Sequence, residues 1–506
     1  MSELPKGWNR TILEDVADVL DFEREPINSS DRDNRINGKS KSDLYPYYGA
    51  TGQVGFIDAF RSEGQRVLLG EDAAPFLDPI KDKAYLANGR FWVNNHAHVL
   101  AGAAGLIDNE FLCHQLNTVD YRPFVTGSTR LKLTSAAMKQ IPMVVAPYVE
   151  QTRIVAKLEE LLSDLDAGVA ELKAAQKKLA QYRQSLLKAA VDGSLTAEWR
   201  KNNPPTETGA QLLEQILKER RARWEEKQLA KSKEQGKTPP KDWQKKYPEP
   251  VLPNTTELSA LPTSWAWASL DQSAAESLIG LDRGQEQQSS SAAFGYIKMN
   301  NVSMNGHVDV QNITRVNATQ EEVDKYAVAL NDVLFNTRNS LELVGKTGLV
   351  IDLDGVTLYN NNLMRLRFDG ALKPAFACFQ MCGPEFRTRL ERVKKATTSV
   401  AAVYAKDLFP LAIAVPPISE QTEILRILDL AMAAIDAQQL SIERSFKQAA
   451  AQRQNILRAA FAGELVPQDP NDEPASVLLE RIRAERSQQT IIKKPRGRKA
   501  KETNNA

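Results

Sequence analysis

A chain of 506 residues is too long for one hydrophobic core, so its length predicts two to four domains. Its charged fraction of 25% and hydrophobic fraction of 42% are typical of a globular protein, and no apolar run is long enough to predict a membrane span. The net charge of +1 neither favours nor excludes nucleic acid, because a binder needs a basic face rather than a basic total. Three cysteines without zinc-binding spacing, and an N-terminus without a secretory pattern, lead us to expect a cytoplasmic protein.

Residues 1–149 predict a mixed α/β domain. Its short apolar runs, bounded by turn residues, are typical of strands, and residues 109–116 favour a helix. The predicted strands are 54–57, 67–69, 91–93, 98–100 and 143–145. The last of these strands leads the chain directly into a long helix.

Residues 150–193 predict this long helix, which carries a coiled-coil seam. From Ile154 to Leu186, apolar or small residues recur at alternating steps of four and three, which keeps one narrow face against a partner helix over many turns. At 1.5 Å per residue the helix would be about 55 Å long. Gly193 favours a stop at its C-terminus.

Residues 194–258 separate the long helix from the next folded region. We expect a second helix from residue 209 to about residue 233. Residues 231–253 then bring many lysines and prolines and few apolar residues, a composition typical of an exposed linker.

Residues 259–417 predict a second α/β domain that opens as the first one does. The phrase Leu-Pro-x-x-Trp begins at Leu261, as it does at Leu4. A single helix is predicted at 374–394. The predicted strands are 296–299, 333–336, 343–351, 362–368 and 411–415.

Residues 418–466 repeat the long helix without a gap. A shift of 270 positions places Glu150 on Glu420 and Gly193 on Gly463. The residues along the second seam are smaller and more polar than those along the first. Because small and polar residues let helices approach closely and fix their register, we expect the two helices to pack on each other. A duplication of this length is the signature of a two-fold internal repeat.

Residues 467–506 add a short helix and a basic tail. Residues 478–482 are similar to 212–216, so the repeat unit is a globular domain, a long helix and a short helix. The tail at 493–501 is rich in Lys and Arg and cannot build a core. Its Pro-Arg-Gly-Arg resembles a minor-groove AT-hook, although such runs more often make unspecific phosphate contacts.

These elements together predict α/β plus coiled coil as the fold class. If the second domain lies at the far end of the first long helix, the second helix must return antiparallel to it. We therefore expect two α/β domains separated by two long antiparallel helices, in a pseudo-two-fold internal repeat.

The sequence leads us to expect no catalytic residues and no metal site. The Gly-Lys-Thr around Lys346 is not a phosphate loop, because Ser340 stands where that loop needs glycine. The Asn-Pro-Pro-Thr at Asn203 lacks the aromatic of amino-methyltransferases. His96 and His98 would share a strand face, but no further ligand is near in sequence, and structural hydrogen bonds are the commoner role.

Two modules in inverted orientation match a duplex that carries two half-sites. Arginine pairs with guanine and asparagine with adenine, while Ser, Thr and Lys mostly reach phosphates, so we expect loops rich in these residues to bind DNA. The alternative for each is a turn residue that caps its own loop. In the first domain the candidates are Tyr47, Tyr48, Thr51, Asn94, Asn95, Ser128, Thr129, Arg130 and Lys132. In the second they are Lys298, Asn300, Asn301, Arg338, Asn339, Asn360, Asn361, Lys395, Thr397, Thr398 and Ser399.

Several phrases resemble the specificity subunit of type I restriction-modification enzymes over nearly the whole chain. They are the openings at Leu4 and Leu261, Pro-Pro-Ile-Ser-Glu-Gln at 416–421 with its partner at 147–151, the endings at 187–193 and 457–463, Tyr-Pro-Tyr-Tyr-Gly-Ala-Thr-Gly at 45–52, and Gly-Ser-Thr-Arg at 127–130. The chain departs from the family at Ala146, where the first of two prolines is usual.

The resemblance implies that 1–149 and 259–417 are target recognition domains, each reading half of a bipartite, asymmetric DNA site. The helices at 150–193 and 418–466 would act as spacers and as docks for two methyltransferase subunits, which hold S-adenosylmethionine and methylate adenine N6. Two restriction subunits using ATP and Mg would cleave unmethylated DNA. The chain itself would hold no cofactor.

Two other classes of protein stay open. A stand-alone methyltransferase or nuclease would need a cofactor or metal motif. A coiled-coil adaptor without specific DNA binding would not need two domains with loops rich in Arg, Asn, Ser and Thr.

Overall fold

The computed structural model describes residues 3–78, 81–368, 370–396 and 400–492, and in the last helix the side chains only before residue 488. The basic tail at 493–501, with the sequence that resembles an AT-hook, lies outside these residues. Among the helices in these ranges, none combines the length and apolar character that a bilayer span requires.

The first globular domain consists of short strands and short helices, with brief 3-10 turns at Asp21–Glu23 and Lys41–Asp43. The strands are β1 (Asn9–Ile12), β2 (Ala17–Val19), β3 (Tyr45–Gly49), β4 (Gly52–Ile57), β5 (Ser62–Glu63), β6 (Arg66–Gly70), β7 (Ala84–Ala87), β8 (Arg90–Val93), β9 (Ala97–Gly102), β10 (Val125–Thr126), β11 (Lys132–Leu133) and β12 (Pro142–Val145). The helices are α1 (Leu13–Val16), α2 (Ser29–Ile36), α3 (Asn109–Leu116) and α4 (Ser135–Lys139).

Two long helices, α5 (Tyr148–Asp192) and α13 (Ile418–Ala462), each run for 45 residues. Between them in the chain lie α6 (Ala197–Asn202), α7 (Gly209–Glu234), a 3-10 turn (Trp243–Lys246) and the second globular domain. After α13 comes α14 (Ala475–Ile492). The two predicted long helices and the predicted short helix after each are confirmed.

The second globular domain is again mixed α/β, with a 3-10 turn at Gln285–Gln287. Its strands are β13 (Ala266–Ser269), β14 (Ala274–Ile279), β15 (Phe294–Ile297), β16 (Thr314–Val316), β17 (Val333–Asn336), β18 (Arg338–Asn339), β19 (Thr347–Leu349), β20 (Thr357–Tyr359), β21 (Leu363–Phe368), β22 (Lys395–Ala396), β23 (Ala401–Ala402) and β24 (Ala412–Val415). Its helices are α8 (Leu270–Ser273), α9 (Gln320–Tyr326), α10 (Pro374–Cys382), α11 (Pro384–Val393) and α12 (Ala405–Leu408).

The two domains share a sheet framework. The first contains an antiparallel sheet ordered β2-β9-β6-β7 and a mixed sheet ordered β4-β3-β8-β5, in which β3 and β8 are parallel. The second contains β14-β21-β17-β19 and β16-β15-β20, in which β15 and β20 are parallel. In each domain the first strand pairs with the strand that delivers the long helix, β1 with β12 and β13 with β24. The predicted fold class of two α/β domains with long helices is confirmed.

Two element predictions in the second domain were wrong. The single helix predicted at 374–394 is two helices, because Gly383 leaves the helical conformation and Pro384 has no N–H to continue the ladder. The strand predicted at 343–351 is a strand only over Thr347–Leu349, because a turn precedes it in which Gly345 has a φ of +85°.

The linker predicted at 231–253 is exposed, as expected, but it is packed locally. Trp243 stacks on Trp224 of α7 with ring centroids 5.7 Å apart, and Tyr247 meets Trp224 edge-on at 5.5 Å. Further on, the N–H of Val251 donates to Asp271 (2.9 Å). These contacts hold the segment against the second domain, so composition alone was a poor guide to its order.

The chain divides into two compact units, and the division falls inside both long helices. The first unit comprises Met1–Ala174 and Ile442–Ala506, and the second comprises Ala175–Ser441. Each unit therefore combines one globular domain, the start of the long helix that follows it, the end of the other long helix and one short helix. The compact units do not coincide with the repeat units of the sequence.

In the first unit the two long-helix segments are antiparallel. Ile154 and Leu158 near the start of α5 share a buried core with Ala460 near the end of α13, whereas Asp166, further along α5, binds Arg453, which is earlier in α13 (3.0 Å). The partner residue number thus falls as the α5 residue number rises.

The second unit repeats this arrangement with the helices exchanged. Arg183 of α5 binds Asp436 of α13 (3.3 Å), and these are the duplicates of Arg453 and Asp166. Leu187 lies in the same core as the early α13 residues Ile424 and Leu428. The antiparallel prediction is therefore confirmed within each unit.

A buried Glu-Gln pair joins each domain to its long helix. The indole N–H of Trp8 donates to Glu150 Oε2 (3.1 Å), and that of Trp265 donates to Glu420 Oε2 (2.8 Å). The next residue in each helix, Gln151 or Gln421, is completely buried. The Leu-Pro-x-x-Trp opening therefore has a structural role: it supplies the donor for the first turn of the helix.

The buried glutamines satisfy every hydrogen-bonding atom of their amides in the same way. Gln151 Oε1 accepts from the N–H of Asp108 (2.8 Å), and its Nε2 donates to the carbonyls of Leu106 (2.8 Å) and Ala146 (2.9 Å). Gln421 makes the equivalent three bonds, with Lys373 (2.8 Å) and with carbonyls at Ala371 (3.0 Å) and Pro416 (2.9 Å). One side chain thus ties the helix start to two segments of its domain.

The glycine that ends each long helix packs on the proline of a domain opening. Gly463 has a φ of +76°, and a Cβ on it would overlap the ring of Pro5. Gly193 has a φ of +80°, and a Cβ on it would overlap Pro262. The short helices are held similarly, since the N–H at the start of α14 donates to the carbonyl of residue 7 (2.8 Å) and that of α7 to the carbonyl of residue 264 (2.7 Å). Each domain opening therefore holds the end of one long helix as well as the start of the other.

We predict that Gly463→Ala lowers the free energy of unfolding by about 2–5 kcal/mol, because the new methyl group meets both an unfavourable φ and the Pro5 ring. Gly236→Ala is the matched control. Gly236 has a φ of +62° with open space at its Cβ, so this change should cost only about 1–2 kcal/mol. Urea unfolding of both variants measures the difference; equal costs would contradict the packing argument.

We predict unequal effects from neutralising the two anchoring glutamates. Glu420 Oε1 accepts from Thr196 (2.7 Å) and Arg200 (2.8 Å), whereas Glu150 Oε1 has no partner among the described residues, and burial raises the pKa of Glu150. Glu420→Gln should destabilise the second unit by about 1.5–3 kcal/mol, because Arg200 loses a charged acceptor.

Glu150→Gln should cost less than about 1 kcal/mol at pH 7, because it removes a poorly compensated buried charge. A raised pKa means that folding favours protonated Glu150, so wild-type stability from this group is greatest at low pH and is lost as the pH rises through that pKa. Calorimetry between pH 4 and pH 7, with hydrogen exchange assigning each transition, tests both variants. A larger cost for Glu150→Gln than for Glu420→Gln would refute the comparison.

Candidate nucleic-acid interface

Eight of the twenty candidate residues lie at one edge of a domain, where two parallel strands end. In the first domain Tyr48 of β3 is opposite Val93 of β8, and in the second Ile297 of β15 is opposite Tyr359 of β20. Because both strands of a parallel pair end at the same side of the sheet, the loops that follow them are neighbours. We call these loops the carboxyl edge: residues 49–51 and 94–96 in the first domain and residues 298–301 and 360–362 in the second.

Two asparagines occupy equivalent positions on the carboxyl edges. The N–H of Asn94 donates to the carbonyl of Tyr48 (3.0 Å), as that of Asn360 does to Ile297 (2.9 Å). Each side-chain oxygen then accepts from the N–H two residues on, that of His96 (2.8 Å) or Asn362 (2.9 Å). At these two positions the turn-capping alternative is correct for the side-chain oxygen. Asn95 is exposed and Asn361 half-buried.

A central strand of each domain ends beside this edge in the same way. The N–H of Glu71 donates to the carbonyl of His96, and that of Thr337 to the carbonyl of Asn362, both at 2.8 Å. The carbonyl of Glu71 then accepts from the N–H of Leu133 (2.7 Å), and the carbonyl of Thr337 accepts from the N–H of Val403 (3.0 Å). The two edges therefore have one backbone plan.

Charged side chains crowd the first edge. Glu71 binds Lys132 (3.1 Å) and also Arg24, while Asp72 binds His96 (2.6 Å) and Arg130 (3.1 Å). Burial by itself raises the pKa of Glu71, but the hydrogen bonds from Arg24 and Lys132 outweigh it and hold the pKa below its ordinary value. Sequence reasoning missed the two carboxylates; their position directly after the apolar run of β6 was the available signal.

His98 lies beneath this edge and is completely buried. Its Nδ1 faces Asp21 (2.8 Å) and its Nε2 faces the carbonyl of Leu133 (3.1 Å). Each ring nitrogen therefore faces an oxygen. His96 instead binds Asp72, so the two histidines do not share a site, and among the described residues no group of three ligands could hold a metal.

The two candidate tyrosines differ in exposure. Tyr47 is buried, with Arg32 over its ring (5.2 Å) and its hydroxyl donating to the carbonyl of Ile27 (3.4 Å), so the structure does not bring it to the surface. Tyr48 is half-buried between Tyr85 and Phe91, and burial raises its pKa. Thr51, which follows β3, is exposed.

A tight turn presents the second group of first-domain candidates. Gly127 has a φ of +100°, and a Cβ on it would overlap the carbonyl of Arg130, so only glycine fits here. Ser128, Thr129 and Arg130 are all exposed in this turn, and Lys132 follows them. Because Asp72 is paired with Lys132 and binds His96 of the carboxyl edge, this turn lies beside that edge.

The candidates after β15 divide into one support and two surface residues. Asn301 is buried, and its side-chain oxygen accepts from the N–H of Lys298 (3.0 Å), so it shapes the loop. Lys298 is half-buried with its ammonium on Gln288 (3.1 Å), and Asn300 is exposed. Lys346, of the Gly-Lys-Thr phrase, is buried and donates to the carbonyl of Met299 (2.7 Å), so it holds this loop from behind.

Three of the remaining second-domain candidates, Arg338, Asn339 and Lys395, lie on a small sheet ordered β18-β23-β22. Arg338 is exposed, whereas the side chain of Asn339 accepts from the N–H of Ser340 (2.9 Å). Lys395 is exposed beside Asp407 (3.4 Å) and Tyr404. Thr397, Thr398 and Ser399 lie outside the described residues.

Comparison with known proteins gives one family. The type I restriction modification DNA specificity domain matches residues 5–175 and 290–444. The chain is 25% identical over 397 residues to the "Type I restriction enzyme EcoKI specificity subunit" of Escherichia coli K12, covering 76% of this chain and 73% of that protein. It is 23% identical over 516 residues to the EcoDI specificity subunit of Escherichia coli, covering 96% of each.

A shorter match is stronger in identity. The chain is 37% identical over 149 residues to the "Putative type I restriction enzyme specificity subunit S.HindORF215P" of Haemophilus influenzae, and the match covers 29% of this chain and 36% of that protein. Among solved structures, one described as concerning complex assembly and conformational transition of the type I R-M system aligns with a TM-score of 0.57 at 17% identity, covering 92% of this chain and all of that one. This supports the fold.

We predict that Asp21→Asn destabilises the first domain by about 1.5–3 kcal/mol at pH 7, because His98 loses its charged acceptor. Burial raises the pKa of Asp21, but the bonds from His98 and Val99 and the charge of Arg24 outweigh it, so its pKa is below the ordinary 3.8. The contribution of Asp21 to the free energy of unfolding is therefore complete above about pH 4 and is lost as the pH falls through the lowered pKa. The stabilities of wild type and Asp21→Asn should then converge in acid.

Thermal unfolding from pH 2 to pH 7 measures this effect. Asp120→Asn is the control, because Asp120 is exposed and its ion pair is with Arg122, two residues further along the chain. A control variant as unstable as Asp21→Asn would contradict the prediction.

Proposed function

Because the chain belongs to the type I restriction-modification DNA specificity family, we propose that its two domains each read one half of a bipartite, asymmetric DNA site through the carboxyl edge. One observation carries this proposal: both domains place donor-rich loops on the same backbone plan, but the side chains on the plan differ. Equal frames with different side chains favour two half-sites of different sequence.

We further propose that the paired long helices set the spacing of the half-sites and dock two methyltransferase subunits, and that two restriction subunits join them in the cytoplasm. The methyltransferase subunits would bind S-adenosylmethionine and methylate adenine N6, and the restriction subunits would use ATP and Mg to cleave unmethylated DNA. Helix spacing supports this role, because the ion pairs Asp166–Arg453 and Arg183–Asp436 hold the helix register in each unit.

Family membership favours this function over that of a coiled-coil adaptor without specific DNA binding. An adaptor would have no use for two domains that keep one loop frame while varying its charged side chains. The alternative makes a distinct prediction, since it expects no methylated motif.

The proposal is tested by modified-base sequencing of a host that expresses this chain with its candidate methyltransferase partner. We expect a split, asymmetric motif with N6-methyladenine on both strands. Exchange of residues 259–417 for the corresponding domain of a relative should change one half of the motif and leave the other half and the spacer intact. Absence of any motif, with both proteins folded and copurifying, would overturn the proposal and favour the adaptor.

A further inference from the structure

The second residue after the central strand, beside the carboxyl edge, differs in charge between the two domains. Glu71 and Thr337 are equivalent by their hydrogen bonds, so the next residues, Asp72 and Arg338, are equivalent too. Both residues pair across to a later strand, Asp72 with Lys132 and Arg338 with an alanine at 402. An acid therefore stands in the first domain where a base stands in the second.

Asp72 holds two donors at the first edge. Its carboxylate binds His96 Nδ1 at 2.6 Å and the guanidinium of Arg130 at 3.1 Å. The Asp72 side chain is 19% exposed, whereas that of Arg130 is 58% exposed. The carboxylate thus lies below the surface, and the arginine that it orients projects from it.

This geometry suits an arginine that reads a base better than one that stabilises the fold. An exposed ion pair contributes little to stability, because water and salt screen it and two long side chains lose freedom. An arginine held at one nitrogen keeps its other N–H donors in a fixed plane, and this planar fork matches the O6 and N7 acceptors of guanine in the major groove.

The second domain supplies its cation from the other strand. Arg338 itself is exposed at the position of Asp72, and the positions that match Arg130 and Lys132, counted back from Val403, are valine 400 and alanine 402. No acid is therefore needed at residue 338 to hold an opposing arginine.

We infer that each domain reads one guanine with one arginine, Arg130 in the first and Arg338 in the second, and that Asp72 is a positioning residue for Arg130. The inference rests on the proposed function and deepens it. For one position in each half-site it names the base, guanine, and the arginine that reads it. Because the arginines come from different strands of the same frame, the two guanines lie at different places within their half-sites.

The test uses the full chain with its methyltransferase partner and the motif found for wild type. Arg130→Ala should relax one guanine of the half-site read by the first domain, with about a ten- to hundred-fold loss of discrimination at that base pair. Arg338→Ala should do the same in the other half-site only. Asp120→Asn, which breaks an exposed ion pair elsewhere on the first domain, is the matched control and should leave the motif unchanged.

Asp72→Asn separates positioning from general binding. It should relax the same guanine as Arg130→Ala, while affinity for unrelated DNA at fixed salt stays equal or rises, because a negative charge leaves the DNA-facing edge. Arg130→Ala should instead lower the affinity both for DNA that carries the motif and for unrelated DNA. Asp72→Glu, which keeps the charge, should restore part of the discrimination. A purely structural Asp72 would weaken both kinds of binding together, and that result would overturn its assignment.

Two outcomes distinguish this inference from the proposed function. If the wild-type complex produces no bipartite motif, the proposed function fails first. If wild type produces the motif but Arg130→Ala and Arg338→Ala leave every base of it unchanged, or relax a base pair without guanine, the function stands and the inference is overturned. Copurification with the methyltransferase shows that each variant is folded, and exposed Arg130 and Arg338 keep the test valid even if Asp72→Asn fails to fold.

Discussion

The hydrogen bonds of two buried side chains at the start of each long helix hold this architecture together. A tryptophan from the domain opening donates to the glutamate. The next residue, Gln151 or Gln421, accepts one hydrogen bond and donates two, and these three bonds reach two segments of the domain. A buried amide is costly if any of its groups is unpaired, so the bonds form only when domain and helix take one orientation. The direction in which each helix leaves its domain is therefore set by three residues, the tryptophan, the glutamate and the glutamine.

The far ends of the helices are held by contacts of a different kind. Gly463 packs on Pro5 and Gly193 on Pro262, with glycine required both by φ and by the closeness of the ring. As a result each compact unit contains a start of one long helix and an end of the other. Duplication made this possible, because both openings carry Leu-Pro-x-x-Trp and both long helices end at a glycine, so the same contact forms twice.

The same duplication separates framework from chemistry at the carboxyl edge. Backbone hydrogen bonds around Asn94 and Asn360, and around Glu71 and Thr337, agree within a few tenths of an ångström. Exposed side chains on that backbone, such as those of Arg130 and Arg338, are free to differ, since they contribute little to stability. A domain built in this way can change what it binds without changing its fold, which is the property that a sequence-reading subunit needs.

Sequence alone determined the repeat, the long helices, the fold class and several strands, because an uninterrupted 3.5-residue period and a constant shift of 270 positions are local, one-dimensional signals. It placed the loops with Arg130 and Arg338 among the candidates by composition, but it did not separate Asn301 and Tyr47, which are buried, from residues at the surface. Nor did it find Asp72, whose partners His96 and Arg130 are distant in the chain. Which short helix packs on which domain, and which side chains meet at an edge, were decided by tertiary structure, because burial and charge pairing depend on contacts between segments that no local pattern records.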